Sequence, residues 1–489
     1  MRIQRAAPPF LFLACLLAWA LVIALSSTAS EAASPTVFTP LGQLAAIPGL
    51  TPAQYAVATA MDIFCPQLRA RRSALNAAQT DLLNQCTSLQ LNAGQNQNPL
   101  NTSPFFYTTV NPGSFGLSNE GLADALGQLT PRQAIAIARN NVEAAPNQTR
   151  ITSRLVALRG GAGSQVILGG REFTLDGKEV RAGQPLPLNQ TGGGASADRA
   201  TPGRLGLWLN GNGSFGDHNS TQNEPGYSYH TGGFTGGVDY RLTDNLVLGA
   251  AFSYFRSNAS FGSALGSTYT WDYGPTFYGT YYAGGFHIDL NGGFTVSFYD
   301  VNRNIAYGGN GMFVNREAFG SMVDLDGWSF NGNLGVGYDW KVNGFTLSPY
   351  GRIEYLNFFI DSYIESGASG LDLLVGGQRV QSLLSVLGGQ VSYAWSVPFG
   401  VLSPYVRGEW RHEYLNNPRS ITSRFLNDPT GTPFFIPTNS PSRNYADIGG
   451  GVSAQFAKGF SAFLSFDAIV GLTNFTNYQF AGGLRLALF

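Results

Sequence analysis

The chain has 489 residues, of which 12% are charged, and its formal net charge is −1. It carries no basic stripe, which excludes nucleic acid as a partner. Glycine is abundant (62 residues) and aromatics make up 13%. A mean hydropathy near zero excludes no membrane protein, because a barrel wall shows lipid only every second residue.

Residues 1–29 read as a secretory signal. Arg2 and Arg5 form the charged start, Phe10–Leu25 the apolar core, and Ser27-Thr28-Ala29 the small residues for cleavage, with Ala32 or Ala33 as alternatives. A membrane anchor is the competing reading, and the stretch is rather short for one. Signal removal leaves Cys65 and Cys86, an even count in an oxidising compartment. Their surroundings read as helical. Thr51-Pro52-Ala53-Gln54 has an N-cap, a proline at the first helical position and a glutamine closing a capping box. On one continuous helix the two sulfurs would lie about 30 Å apart, beyond any disulfide. A bridge therefore requires the chain to reverse around residues 73–80, where Asn76 and Thr80 can break the helix. The expectation is a stapled helical hairpin, worth about 3 kcal/mol for a loop of some twenty residues; two free buried thiols are the alternative.

Residues 92–117 are polar and rich in Asn, Pro and Gly, and read as loop. Thr130-Pro131-Arg132-Gln133 repeats the capping pattern of residues 51–54. A further helix is expected from about Asn147 to Arg159, with one narrow apolar stripe of Ile151, Leu155 and Leu158. The rest of it is polar, including Arg150, Arg154 and Arg159. So small an apolar face needs polar surroundings. Either the helix is solvated with its stripe on a neighbour, or it lies inside a water-lined pore. In the second case its arginines would meet lumen acids such as Glu354, Glu409 and Asp447. A hairpin at residues 165–180, turning at Asp176-Gly177, and a flexible linker at Gly192–Gly203 follow.

From Arg204 to Phe489 the pattern changes to alternating strands. Phe345, Leu347, Ile353 and Tyr355 fall on one parity, and Thr346, Ser348, Tyr350, Arg352 and Glu354 on the other. Leu402, Val406 and Trp410 likewise alternate with Tyr405, Arg407, Glu409, Arg411 and Glu413. One face is thus apolar and one polar. Aromatics gather near strand ends (Trp271, Tyr273, Trp328, Trp340, Tyr393, Trp395), as girdles at two membrane interfaces require. Short turns at 243–245, 284–285, 343–344, 398–400 and 458–459 alternate with long polar connections around 215–230, 257–267, 299–325, 359–378 and 415–443. That is the asymmetry of a transmembrane antiparallel β-barrel of about twelve strands, short turns in the periplasm and long connections outside. By parity the lumen is lined by Asp239, Arg241, Asp272, Asp289, Arg352, Glu354, Arg407, Glu409, Arg411, Asp447, Asp467 and Arg485. Leu347 is taken as a mid-strand residue facing lipid.

No catalytic motif stands out. The four histidines have no metal-binding spacing, and no nucleophile elbow, phosphate-binding loop or helical zinc motif is present. His412 and Glu413 are adjacent, so they point to opposite faces and form no dyad. No cofactor, metal or enzymatic activity is expected.

These strands resemble the β-domain of autotransporters, the type V secretion family. The matching stretches are Arg204-Leu205-Gly206-Leu207-Trp208, Gly236-Gly237-Val238-Asp239-Tyr240-Arg241 and Asp244–Gly249. Tyr278-Gly279-Thr280-Tyr281, Glu365-Ser366-Gly367 and Trp410-Arg411-His412-Glu413 add to them. The resemblance covers roughly residues 200–489. It implies a twelve-stranded outer-membrane barrel, a linker helix in its lumen and an N-terminal passenger sent to the cell surface. It also implies export by the Sec translocon and insertion by the barrel-assembly machinery, for which the terminal aromatic Phe489 would be the signal. Phe489 is one residue out of phase with Leu484, Leu486 and Leu488. No long β-helical passenger precedes the barrel, so the N-terminal region at 34–145 is a short helical passenger, with 146–203 as lumen helix and linker and 204–489 as barrel. The expected partners are outer-membrane lipid and, for the N-terminal region, a ligand that the sequence does not name. The competing reading is a passive pore whose N-terminal helices stay in the periplasm or plug the lumen.

Overall fold

The computed structural model describes residues 44–97, 113–143, the helical positions Ile151, Arg154, Leu155 and Leu158, three short strands between 166 and 181, and residues 204–488 apart from 263–264, 321–325 and 457–459. The signal, Arg150, Arg159, the linker at 192–203, the turn at 458–459 and Phe489 lie outside the described residues.

Twelve strands close into an antiparallel barrel. They are β1 Leu205–His218, β2 Tyr227–Thr243, β3 Leu246–Ser260, β4 Gly266–Ala283, β5 Phe286–Gly309 and β6 Asp326–Tyr338. The second half is β7 Phe345–Ile360, β8 Gln378–Tyr393, β9 Gly400–Glu413, β10 Asn444–Phe456, β11 Phe460–Val470 and β12 Asn477–Leu488. Each pairs with its sequence neighbour, and β12 closes on β1, with Leu484 opposite Leu209 and Leu488 opposite Leu205. Closure leaves no sheet edge in lipid. Leu205, Leu207 and Leu209 are exposed on the outside, while Trp208 and Asn210 are buried within. Two aromatic belts stand on the outer wall. Trp328 and Tyr273 lie toward the long connections, and Trp340 and Trp395 lie beside the short turns. Asn343 and Gly344 in one short turn, and Gly284 and Gly285 in another, adopt positive φ, the backbone such turns demand. No described helix is long and apolar enough to cross a membrane. Leu347 is not mid-strand. It lies two residues into β7, opposite Val391 and Trp340, near the short-turn rim. Leu387, opposite Gly351 and Trp410, occupies the middle of the outer wall.

The N-terminal region is helical: α1 Pro52–Ala70, α2 Ala77–Gln97, α3 Asn119–Gln128 and α4 Arg132–Glu143. Thr51 caps α1 in a full capping box with Gln54, behind Pro52. The reversal comes where expected. Asn76 and Gln79 exchange backbone-to-side-chain hydrogen bonds at the start of α2. Cys65 and Cys86 are disulfide-bonded, with Cα atoms 5.8 Å apart. α2 runs six residues into the stretch read as loop, because Asn92 and Asn96 gain partners there. Both donate to the Leu117 carbonyl, and the Leu117 amide returns a bond to Asn92. The second Thr-Pro-Arg-Gln motif behaves differently. Thr130 donates its hydroxyl to the Gly127 carbonyl, and the Gln133 amide reaches the Leu265 carbonyl of the barrel. The expected hairpin at 165–180 is a three-stranded meander, with Val166–Gly169 added to the pair on either side of 176–177.

Three of the long connections, at 299–325, 359–378 and 415–443, carry strands of their own. β5 runs beyond the barrel and pairs with Met312–Gly320 as a projecting hairpin arm. Tyr363–Ile364, Leu373–Val375, Ser420–Phe425 and Phe434–Pro437 form a separate four-stranded sheet. The alternation persists in the arm with its meaning reversed. Tyr299, Val301, Ile305 and Tyr307 face inward, away from lipid, and pack with the four helices in one hydrophobic core. Phe64 of α1 meets Phe425 at 5.3 Å, and Phe115 meets Tyr307 at 5.3 Å. At about 1.5–3 kcal/mol per fully buried large apolar side chain, this core is what holds the N-terminal region to the barrel.

Candidate functional site: the lumen and its outer cap

Three layers fill the barrel from one rim to the other. At the short-turn rim, Ile151, Leu155 and Leu158 of the lumen helix pack on Trp208, Val247, Ala251, Tyr278 and Tyr282. Arg154, on the same helix, donates to the Asp239 carboxylate at 3.0 Å through Nε, with a second contact through Nη2. Its guanidinium also lies 5.9 Å from the Trp208 ring, and the Trp208 indole donates to the Tyr278 hydroxyl at 2.7 Å. The helix therefore leans on the β1–β4 wall. Its arginine meets Asp239, not Glu354, Glu409 or Asp447 as the composition suggested. Those three are already paired with arginines of their own wall.

The middle layer is that opposite wall. Arg352 makes a forked contact with Glu409 at 2.8 and 2.7 Å and a further one with Glu354. Arg411 bridges Glu409 at 2.8 Å and Asp447 at 2.9 Å. Arg407 reaches Asp467 at 2.6 Å, and the Tyr350 hydroxyl donates to Glu409 at 2.6 Å. Single carboxylates thus hold several arginines across β7, β9, β10 and β11, which stiffens the wall more than isolated pairs would. Between this wall and Leu155 lies a small cavity lined by His287, Asp289, Tyr350, Arg352, Gln390 and Arg407. Asp272 accepts from Ser297 on the neighbouring strand at 2.6 Å. His412 points outward to Asn444, while Glu413 points inward to Ser382.

The third layer, at the long-connection end, is the cap, and three ion pairs pin it. Arg303 of the arm is wholly buried. It contacts Glu365 through two nitrogens and donates to the carbonyls of Gln128 in α3 and Leu371. Arg316 of the arm forks onto Asp81 of α2, with one distance of 2.7 Å. Burial raises the Asp81 carboxyl, but Arg316 outweighs it and the net shift is downward. Arg139 of α4 meets Glu224 of the β1–β2 connection at 2.8 Å, and His218 meets the other Glu224 oxygen at 3.1 Å. Burial alone would raise Glu224. His218 and Arg139 outweigh it and hold the carboxyl at about 2.

Sequence parity found the lumen charges but missed Trp208, which sits on the inward parity of β1 between Leu207 and Leu209. It also missed Arg303, Glu365, Arg316 and Glu224, which lie in stretches that read as loop. Among the described residues no cluster suited to a metal ion exists.

Comparison with known proteins adds a family. The model of the autotransporter β-domain matches residues 207–467. The chain is 24% identical over 267 residues to lipase 1 of Photorhabdus luminescens, covering 53% of this chain and 39% of that protein. It is 25% identical over 279 residues to an extracellular serine protease of Serratia marcescens, covering 55% of this chain and 25% of that one. It therefore spans well under half the length of these relatives. Among solved structures, the translocator domain of the autotransporter NalP from Neisseria meningitidis overlays with a TM-score of 0.44 and 17% identity, over 60% of this chain and 90% of that one. The β-domain of the Bordetella autotransporter BrkA gives 0.40 and 16%, over 58% and 100%.

Proposed function

Because the chain belongs to the autotransporter β-domain family, and is on that ground an outer-membrane barrel, we propose that it carries its own N-terminal region to the outer side and keeps it there as a cap on the long connections. The observation that supports this is the shared core. Helices α1–α4 pack against the β5 arm and the four-stranded sheet, all at the long-connection end. By the orientation rule for such barrels that end faces outward. The division we propose is a signal at 1–29, a cap at 34–145, a lumen helix and linker at 146–203 and a barrel at 204–489. The charged lumen residues serve to position the wall and the helix, and no catalytic role is assigned to them. The lipase and protease activities named for two relatives belong to those proteins. Export by the Sec translocon, and insertion by the barrel-assembly machinery through Phe489, are part of the same proposal, as is a still unnamed ligand for the cap.

An epitope inserted in the exposed turn at Ser73-Ala74 tests the reading. Antibody should bind intact cells. Binding only after the outer membrane is permeabilised would favour periplasmic helices. The lumen helix has its own test in planar bilayers. The whole mature protein should conduct weakly, and deletion of residues 147–159 should raise the conductance; equal conductance would refute the plug.

A further inference from the structure

Arginines on the two faces of the wall have different surroundings. Arg352, Arg407 and Arg411 face the lumen, and each meets a carboxylate. Arg256 of β3 has the opposite parity and is exposed on the outer face. Among the described residues no carboxylate pairs with it. Its guanidinium lies 5.4 Å from the centre of the Tyr269 ring and 5.5 Å from that of Trp271, both on β4. The two rings are themselves 6.2 Å apart. The acid next along this face, Asp300, lies opposite Tyr269 on β5, two strands from Arg256.

Arg256 stands where the wall passes from acyl chains to head-groups. Its register partner is Trp271, and one outward pair nearer the bilayer centre Tyr254 and Tyr273 meet at 5.2 Å, within the aromatic belt toward the long connections. A charge on a lipid-facing wall is costly at the bilayer midplane and tolerable at the interface, where a long side chain reaches the polar layer. Rings against a guanidinium hold its plane and leave N–H groups along its edge free to take two oxygens of one phosphate. There is also room beside it. Gly232 is the register partner of Arg256 on β2, and Gly213 that of Gly232 on β1. A Cβ added at Gly232 would meet no atom within 4 Å, and one at Gly213 only the Thr231 carbonyl at 3.7 Å. Exposed Phe215, Phe234 and Phe480 border this recess.

We infer that Arg256, seated on Tyr269 and Trp271, binds the phosphate of a membrane lipid whose acyl part lies in the recess over Gly232 and Gly213. The occupant is a lipid because the recess is continuous with the lipid-facing wall, and a phosphate-bearing one because the cation at its edge has no acid of the protein to neutralise it. The site belongs to the leaflet at the long-connection rim. It does not depend on whether the N-terminal region is displayed.

The test titrates the folded, full-length protein in neutral detergent with dioleoyl phosphatidic acid, and in parallel with dioleoylglycerol, which has the same chains and no phosphate. Native mass spectrometry counts the lipids retained, and heat-resistant migration on gels verifies the barrel in every variant. One phosphatidic acid should be retained, at least about tenfold more tightly than dioleoylglycerol. Arg256→Gln should abolish that preference, and Arg256→Lys should keep part of it, as a charge without the fork. Gly232→Leu fills the recess and keeps the arginine, so it should weaken retention several-fold; it decides the matter even if Arg256→Gln fails to fold. Equal retention of the two lipids by the parent, an unchanged preference in Arg256→Gln, or unchanged retention in Gly232→Leu would overturn the inference. So would displacement of the lipid by an equal concentration of inorganic phosphate, which would make the free ion the ligand.

Discussion

The barrel wall and the cap on its long connections use the same strands in opposite ways. In the wall, Leu334, Leu387 and Leu464 point out to lipid, while Arg352, Glu409 and Asp447 point in. A few residues further along β5, Tyr299, Val301 and Ile305 take the inward positions and meet helices in place of charges. The surroundings have changed along one strand, from a charged lumen inside the wall to a packed apolar core inside the arm. The wall is stabilised by local neighbours, each strand pairing with the next. The cap is stabilised by residues from five distant stretches, and so depends on the N-terminal region being present.

The largest test of that contrast is Glu365→Ala. It leaves Arg303 buried without its carboxylate, at a cost of about 3–5 kcal/mol. The loss should fall on the cap alone. Limited proteolysis of the folded protein should cut within residues 113–143, while the barrel keeps its heat-resistant migration on gels. Replacing the pair together by Met and Leu should recover most of the loss. Barrel unfolding in step with the cap would show that the two regions are not separable.

The wall has its own test. Leu387 is 58% exposed in the middle of the outer face and Leu347 is 47% exposed near the short-turn rim. Arginine at Leu387 should cost about 2–4 kcal/mol, and at Leu347 only about 0–1, because the penalty falls toward the interface. Urea unfolding in lipid vesicles would measure both. Equal costs would mean that the apolar band has been set at the wrong height.

Acid should loosen the cap before the wall. Glu224 is held at about 2, below its usual 4.5. A depressed carboxyl contributes stability that is fully present above the unfolded value and is lost as the pH falls through the folded one. The stability contributed by the Glu224 carboxylate should therefore be fully present above about pH 4.5 and fade between there and pH 2. The loss should be on the order of 2–3 kcal/mol. Hydrogen exchange along α4 would follow it, and Glu224→Gln should flatten the response. An unchanged response in that variant would assign the acid sensitivity elsewhere.

What could be read from the sequence follows the same divide. Period-two alternation and Asn-Gly turns are local signals, so the wall and the inward parity of Arg352, Glu409 and Arg411 were legible. The disulfide was legible because compartment, count and helix length constrained it together. The cap was not. Arg303 lies among Asn302, Asn304 and a glycine-rich tip, a composition that resembles a solvated loop. Its partners Gln128 and Glu365 are far away in the chain, and nothing local announces them. Asp239 as the partner of Arg154 was hidden for the same reason: parity says which side a charge faces, not which other charge it meets.

The smallest effect separates two motifs that look alike. Thr51-Pro52-Ala53-Gln54 and Thr130-Pro131-Arg132-Gln133 share the same capping pattern. Thr51 accepts the Gln54 amide, and the Gln54 side chain accepts the Thr51 amide. Replacing Thr51 by Ala should cost the cap about 1 kcal/mol, a usual value for an N-cap. In the second motif the hydroxyl donates to the Gly127 carbonyl, and Gln133 is spent on the barrel at Leu265. Gln133→Ala should therefore weaken docking of α4 on the β3–β4 connection, by about 0.5–1.5 kcal/mol for one hydrogen bond, without fraying the helix. Gln54→Ala should fray α1 and leave docking alone. Amide exchange over the first turn of each helix, compared with exchange over the barrel connection, distinguishes the two. If both glutamine variants fray their own helix and neither loosens the connection, the second motif is a cap after all, and the junction between helices and barrel rests on the hydrophobic core and the ion pairs alone.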